Sequence, residues 1–147
     1  MPESGLSSQA KPKVWSRIES LLVKMRSPKS NRRDWRISAD GKVSVFVTFS
    51  KLHKDSGNRY WYDLSQVDIE NWEYYEKAFI VFIMGSHEEV MVIPLAILQD
   101  QFRKMHILPS KGSKVTLHII PADSGYEFRE LPDLDAAPFH NNYAFIR

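Results

Sequence analysis

The run Ala78-Phe79-Ile80-Val81-Phe82-Ile83-Met84 contains no polar residue, and no other stretch constrains the fold as much. A strand with one face in water alternates apolar and polar residues. A run that does not alternate reads as a strand buried on both faces. It is far shorter than the roughly 20 residues needed to cross a bilayer. The rest of the chain must therefore cover this strand. With 147 residues and 43% hydrophobic content, it has the length and composition to build such a core without disulfides or metal.

The elements around that strand follow from period and punctuation. Residues 1–12 are rich in Ser, Lys and Pro and show no period, which predicts a disordered tail. Val14, Trp15, Ile18, Leu21, Leu22 and Met25 recur at helical spacing. That helix is expected to end before Ser27-Pro28, because the residue before proline avoids the helical region. Trp35–Ser38 and Lys42–Phe49 read as two strands joined at Asp40-Gly41, a two-residue hairpin signal. A third strand is expected through Arg59–Tyr62, and Ser65-Gln66-Val67-Asp68 matches a capping box that opens a second helix. After the apolar strand, Val90–Ile93 returns. Pro94 suits the first position of a third helix striped by Leu95, Leu98, Phe102 and Met105. Lys114–Ile120 and Tyr126–Arg129 form a last hairpin around Asp123-Ser124-Gly125. The order α-β-β-β-α-β-β-α-β-β predicts a single α+β domain over residues 13–130, with a mixed, mostly antiparallel sheet and three helices. Residues 131–147 carry Phe139, Tyr143 and Phe145, too many aromatics for a solvated tail. They are expected to pack on the domain or on a partner.

The chain has no cysteine, which removes disulfides, zinc-thiolate sites and thiol nucleophiles. The polar start Met1-Pro2-Glu3-Ser4-Gly5 leads into no signal-peptide core. A cytoplasmic, membrane-free location is expected. No two of His53, His87, His106, His118 and His140 stand three or four apart, so no ready metal pair exists. The six glycines are scattered, and neither a Walker nor a dinucleotide pattern occurs. Gly85-Ser86 lacks the second glycine of a nucleophile elbow. Paired carboxylates such as Glu73 with Glu76 and Glu88 with Glu89 read as solvated surface. No cofactor, metal or catalytic residue is assigned.

Charge is distributed unevenly. Residues 1–60 hold thirteen Lys/Arg against five Asp/Glu, whereas residues 61–101 hold Lys77 alone against eight acids. The basic half concentrates in Lys24, Arg26, Lys29, Arg32, Arg33 and Arg36, then in Lys51, Lys54 and Arg59. If the fold brings these two segments together, they form one cationic rim suited to a phosphate backbone. Trp35 and Trp61 lie beside those cations and offer stacking faces for bases. A solvated polar loop with core tryptophans is the plainer reading. The acidic half places Asp63, Asp68, Glu70, Glu73 and Glu76 around the second helix with Trp72, Tyr74 and Tyr75 between them. This is either helix-dipole compensation or a protein-binding surface.

The order helix, three strands, helix, strand over residues 14–93 resembles the core of the restriction-endonuclease-like (PD-(D/E)XK) nucleases. The matching triplet is Asp40-Gly41-Lys42, with Asp34 as an upstream acid. In that family such residues hold magnesium at the scissile phosphate. Where the strand interior would carry the acid and the lysine, this chain has Val45-Phe46-Val47-Thr48. The resemblance therefore implies a relative without the catalytic residues and, by analogy, an association with nucleic acid.

Three functions are carried forward. The first is a non-enzymatic nucleic-acid-binding domain that uses Arg26, Lys29, Arg32, Arg33, Arg36, Lys51, Lys54, Arg59, Trp35 and Trp61. The second is a protein-interaction or accessory subunit that uses the acidic helix and the C-terminal aromatics. The third is a divergent magnesium-dependent nuclease that uses Asp34, Asp40 and Lys42.

Overall fold

In the computed structural model, residues 3–22, 25–26, 34–104 and 114–146 are described. The apolar run forms β5 (Lys77–Met84), and every residue from Phe79 to Met84 is buried. It pairs in parallel with β3 (Val43–Ser50) and antiparallel with β6 (Val90–Pro94). With β1 (Met25–Arg26) and β2 (Trp35–Ser38) they make a five-stranded sheet in the order β1-β2-β3-β5-β6. The parallel pair requires a crossover. It runs from β3 through β4 (Tyr60–Ser65) and α2 (Gln66–Glu73) back to β5. The remaining strands, β7 (Lys114–Ala122) and β8 (Gly125–Phe128), join β4 in a separate three-stranded sheet in the order β4-β7-β8. The α+β class stands, with the strands divided between two sheets.

Two cores explain why β5 does not alternate. Phe79, Val81 and Ile83 face α1 (Glu3–Glu19), alongside Val43, Val45, Val47, Val90 and Val92. Ile80, Phe82 and Met84 face the opposite way. There they meet α2, α3 (Leu95–Lys104) and the inner face of the small sheet, which supplies Tyr62, Leu64, Leu117 and Ile119. The layers are thus α1, the large sheet, then the small sheet with α2 and α3.

The first helix differs from its sequence expectation at both ends. It begins at Glu3, inside the segment expected to be a disordered tail, and ends at Glu19 rather than near Arg26. Ala10 is buried and continues the Val14–Ile18 stripe one turn backward. The polar composition around it masks that single small residue. Pro12 lies inside the helix and removes one donor from the ladder. At the other end the chain turns, with Leu21 and Leu22 amides both bonding to the Ile18 carbonyl. Met25 then pairs with Ser38 in β1. The capping box at Ser65 is formed, its hydroxyl accepting from the Asp68 amide at 3.1 Å. Pro94 closes β6, and α3 starts one residue later. Met105 lies outside the described residues.

The C-terminal segment runs along the free edge of β6. The Asn141 amide donates to the Val90 carbonyl at 2.8 Å, and the Val90 amide donates to Asn141 Oδ1 at 2.9 Å. Phe139 enters one core and Ile146 the other, both fully or almost fully buried.

Candidate nucleic-acid interface

The ten residues expected to meet nucleic acid have very different surroundings. Lys29, Arg32 and Arg33 lie outside the described residues. Arg26 sits in β1, its backbone opposite Ile37. Arg36 is engaged within the fold: its guanidinium pairs with Glu19 and rests 4.5 Å from the Trp15 ring, tying β2 to α1. Trp35 has no open face for stacking. It is only 7% exposed, donates its indole N–H to the Ser44 hydroxyl at 2.6 Å, and meets Tyr75 edge-on. Its register opposite Phe46 turns it into the core. Lys51 is half-buried, and Lys54 is exposed in a short 3-10 turn at Lys54–Ser56. Arg59 is held by its backbone against His53, and its guanidinium lies 5.6 Å from the Trp61 ring.

Of the first basic segment, the described cations Arg26 and Arg36 stand level with Ser44 and Val45, near the start of β3. The Val47 amide bonds to the Asp34 carbonyl at 2.8 Å, so the residue that follows Arg33 is level with the fifth of the eight residues of β3. Three residues further, at Ser50, the Lys51–Arg59 loop begins. The two acids of the nuclease-like pattern stand apart: Asp34 is level with Val47, and Asp40 lies past the other end of β2. Asp40 lies in the tight turn, its Oδ1 accepting from the Ser38 hydroxyl at 2.6 Å and the Lys42 amide at 3.0 Å. These two bonds, that of Ser38 foremost, hold its carboxyl below the ordinary value. Gly41 has φ +75°, as this turn requires. Asp34 pairs with Lys11 at 3.0 Å. The four residues of β2 separate the two acids, about 13 Å of strand rise.

Trp61 is the one predicted aromatic with an open face, at 42% exposure. It stands on the outer face of the small sheet. Tyr62 and Leu64 point into the core from β4, as do Val115, Leu117 and Ile119 from β7. The alternate residues, Trp61 and Asp63 opposite His118 and Thr116, point out. Asp63 Oδ1 accepts both the Trp61 indole N–H at 3.2 Å and the Thr116 hydroxyl at 2.7 Å. The Trp61 amide donates to the Ser50 hydroxyl at 2.9 Å, which fixes β4 to the end of β3. The His118 and Trp61 rings are 5.0 Å apart. Glu130 clamps His118 from the other side, accepting from its amide at 2.6 Å and meeting its Nδ1. Two buried nitrogens beside Trp61, His118 Nε2 and Arg59 Nε, have no hydrogen-bond partner.

A second polar cluster joins distant parts of the chain. Glu89 meets His140 Nε2 at 2.6 Å, the Tyr126 hydroxyl at 3.2 Å and Asn141 Nδ2 at 3.4 Å. Burial pulls the Glu89 carboxyl up. The bond and charge of His140, with the two further donors, outweigh it, and the net value is lowered. Burial first, then the Glu89 charge, push the Tyr126 phenol up to about 12. Tyr126 and His140 line a cleft of about 390 Å³ with Ser124, Glu127 and Asp135.

Neither cluster was singled out from the sequence. In the second, 51 residues separate Glu89 from His140, and the sequence places the two in unrelated segments. The first does carry a local signal: Thr116 and His118 alternate with three apolar neighbours, the mark of a strand with one wet face. Among the described residues, no group of three or more His, Asp or Glu side chains is arranged to hold a metal ion. No helix among them is long and apolar enough to cross a membrane. No family model, curated protein or solved structure matches this chain.

Proposed function

We propose that this chain is a non-enzymatic nucleic-acid-binding domain that contacts the phosphate backbone through the segments 26–36 and 51–59. The observation that carries this reading is the level of Asp34 against Val47, three residues from the start of the second basic loop. Asp34 is the described residue of the first segment nearest the second basic loop, where Lys54 is exposed and Arg59 lies beside the open ring of Trp61, whereas Arg26 stands level with Ser44 near the start of β3. Arg36 drops out of the contact set, because Glu19 and Trp15 already engage it. Phosphate contacts of this kind position a ligand without reading sequence. A cytoplasmic location accords with a chain that has no cysteine.

Anisotropy titrations at several salt concentrations test the reading. With about four to six phosphates neutralised, the slope of log affinity against log salt for duplex DNA should lie near −4 to −5. Replacing Arg32 and Arg33 together with Ala should make it shallower by roughly two and weaken all sequences alike. A flat titration at low salt with folded protein sinks the proposal. It would bring forward the protein-partner reading, which one observation favours: Tyr74 at the end of α2 is 84% exposed, beside exposed Glu70, Glu73 and Glu76.

A further inference from the structure

We infer that the outer face of the three-stranded sheet is a subsite for one unpaired nucleobase, with Trp61 as its stacking surface and His118 Nε2 as the group that meets the base edge. This rests on the nucleic-acid reading above and adds to it a preference for single strands over duplex. Three observations carry it. Among the described residues, Trp61 is the only large aromatic ring of the sheet face that is open to solvent; Asp63 accepts from its indole N–H and Ser50 from its backbone amide. Stacking on such a ring is insensitive to sequence, because every base has a π-face.

The second observation is His118. Its residue is more than nine-tenths buried, and its Nε2 has no partner. A buried polar nitrogen without a partner is costly, and folded proteins retain few of them. Glu130 fixes Nδ1 from the side of β8, whereas Trp61 stands on β4 across the central strand β7. Nε2 is the ring nitrogen that Glu130 leaves free, and the Trp61 ring stands 5.0 Å from the same imidazole. A modest shift of the indole as it takes up a base uncovers this nitrogen for a hydrogen bond to the base edge.

The third observation is charge. The Asp63 and Glu130 carboxylates are engaged by Trp61, Thr116 and His118. Among the described residues, the cations nearest the ring, Arg59 and exposed Lys54 and Arg129, face no carboxylate within ion-pair distance. Lys114 shares the outer face with Thr116 and His118. The Arg59 guanidinium beside the ring keeps an unpartnered Nε. A flat ring bordered by cations suits a nucleotide, whose base is planar and whose phosphate is anionic. A neutral aromatic peptide side chain would leave those cations unused.

The test uses the full chain and two fluorescein-labelled probes, an oligothymidylate of about twelve nucleotides and a duplex of the same length. The oligothymidylate should bind more tightly than the duplex at equal salt. Trp61→Ala should weaken it about tenfold and leave the duplex within about twofold, while Trp61→Phe restores most of the loss. His118→Phe, which keeps a ring beside Trp61 but has no Nε2, should weaken the single strand about two- to tenfold. Circular dichroism establishes that each variant is folded. Equal binding of both probes by wild type and Trp61→Ala overturns the subsite and leaves the backbone reading intact. Unchanged binding by folded His118→Phe overturns the role given to Nε2. Absence of binding to either probe at low salt overturns the backbone reading, and the subsite with it.

Discussion

In the five-stranded sheet, both faces of the interior strand β5 disappear into the fold: Val81 turns to α1 and Phe82 turns to the small sheet. In the three-stranded sheet only one face does. Tyr62 is buried and donates its hydroxyl to the Ile83 carbonyl at 2.7 Å, while its neighbours Trp61 and Asp63 face outward. A side chain sandwiched between layers is committed to stability, because any polar group there must be bonded inside the fold. A side chain on an uncovered face is free of that demand. The large sheet therefore holds the molecule together, and the small sheet has room for recognition. Phe82→Ala and Trp61→Ala put this to a direct test. Phe82 is fully buried and meets Tyr62 edge-on at 4.9 Å. Its truncation should cost about 3–5 kcal/mol. Trp61→Ala should cost less than about 1 kcal/mol, since much of the ring already faces water. Urea midpoints at constant m-value give both numbers. Equal losses would break the comparison.

The two sheets were unequally legible in the sequence. The interior strand β5 announces itself, because seven apolar residues without alternation allow few other readings. The hairpin at Asp40-Gly41 and the cap at Ser65 were also legible, because each depends on chemistry within four residues. What local pattern does not encode is partnership. Nothing in residues 60–65 says that β4 leaves the large sheet to pair with β7, more than fifty residues on. Trp35 and Trp61 look alike in sequence, each beside cations in a strand. Pairing sends Trp35 inward against Ser44 and Trp61 outward beside His118. The nuclease-like triplet was legible as a turn, and the structure gives the Asp40 carboxylate that task.

The joint between the two sheets supplies an intermediate effect. Glu89, in the turn before β6, reaches Tyr126 on β8 and His140 in the C-terminal segment. Its carboxyl value is lowered in the folded state. Protons therefore bind the unfolded chain more readily, and this contribution to stability is present above the ordinary value of 4.5 and lost as pH falls below it. The wild type should lose stability more steeply than Glu89→Gln between about pH 5 and pH 3, as urea midpoints will show. Tyr126 provides an independent reading of the same joint. Burial and the Glu89 charge push its phenol up to about 12. Ultraviolet titration should find it lower in Glu89→Gln, where the neighbouring negative charge is gone. Identical acid profiles for the two proteins would mean that the joint contributes nothing.

The smallest effect should come from Asp63, and its smallness is the informative part. Asp63 accepts two hydrogen bonds, from the Trp61 indole and the Thr116 hydroxyl. In a core, removing such an acceptor strands two donors at about 1–3 kcal/mol each. Here Asp63 and Trp61 are exposed and Thr116 is half-exposed, so water replaces the carboxylate. Asp63→Ala should shift stability by no more than about 0.5 kcal/mol, the usual range for surface positions. Its effect belongs to order. With its indole N–H released, the Trp61 ring loses one of the contacts that orient it, and its indole signal in a nitrogen–proton spectrum should exchange with solvent faster than in wild type. Binding of a single-stranded probe should weaken with it, because a pre-oriented ring forgoes less conformational freedom on stacking. A loss of stability approaching that of Phe82→Ala would show that the outer face is part of the structural core after all. The division of labour between the two sheets would then be wrong.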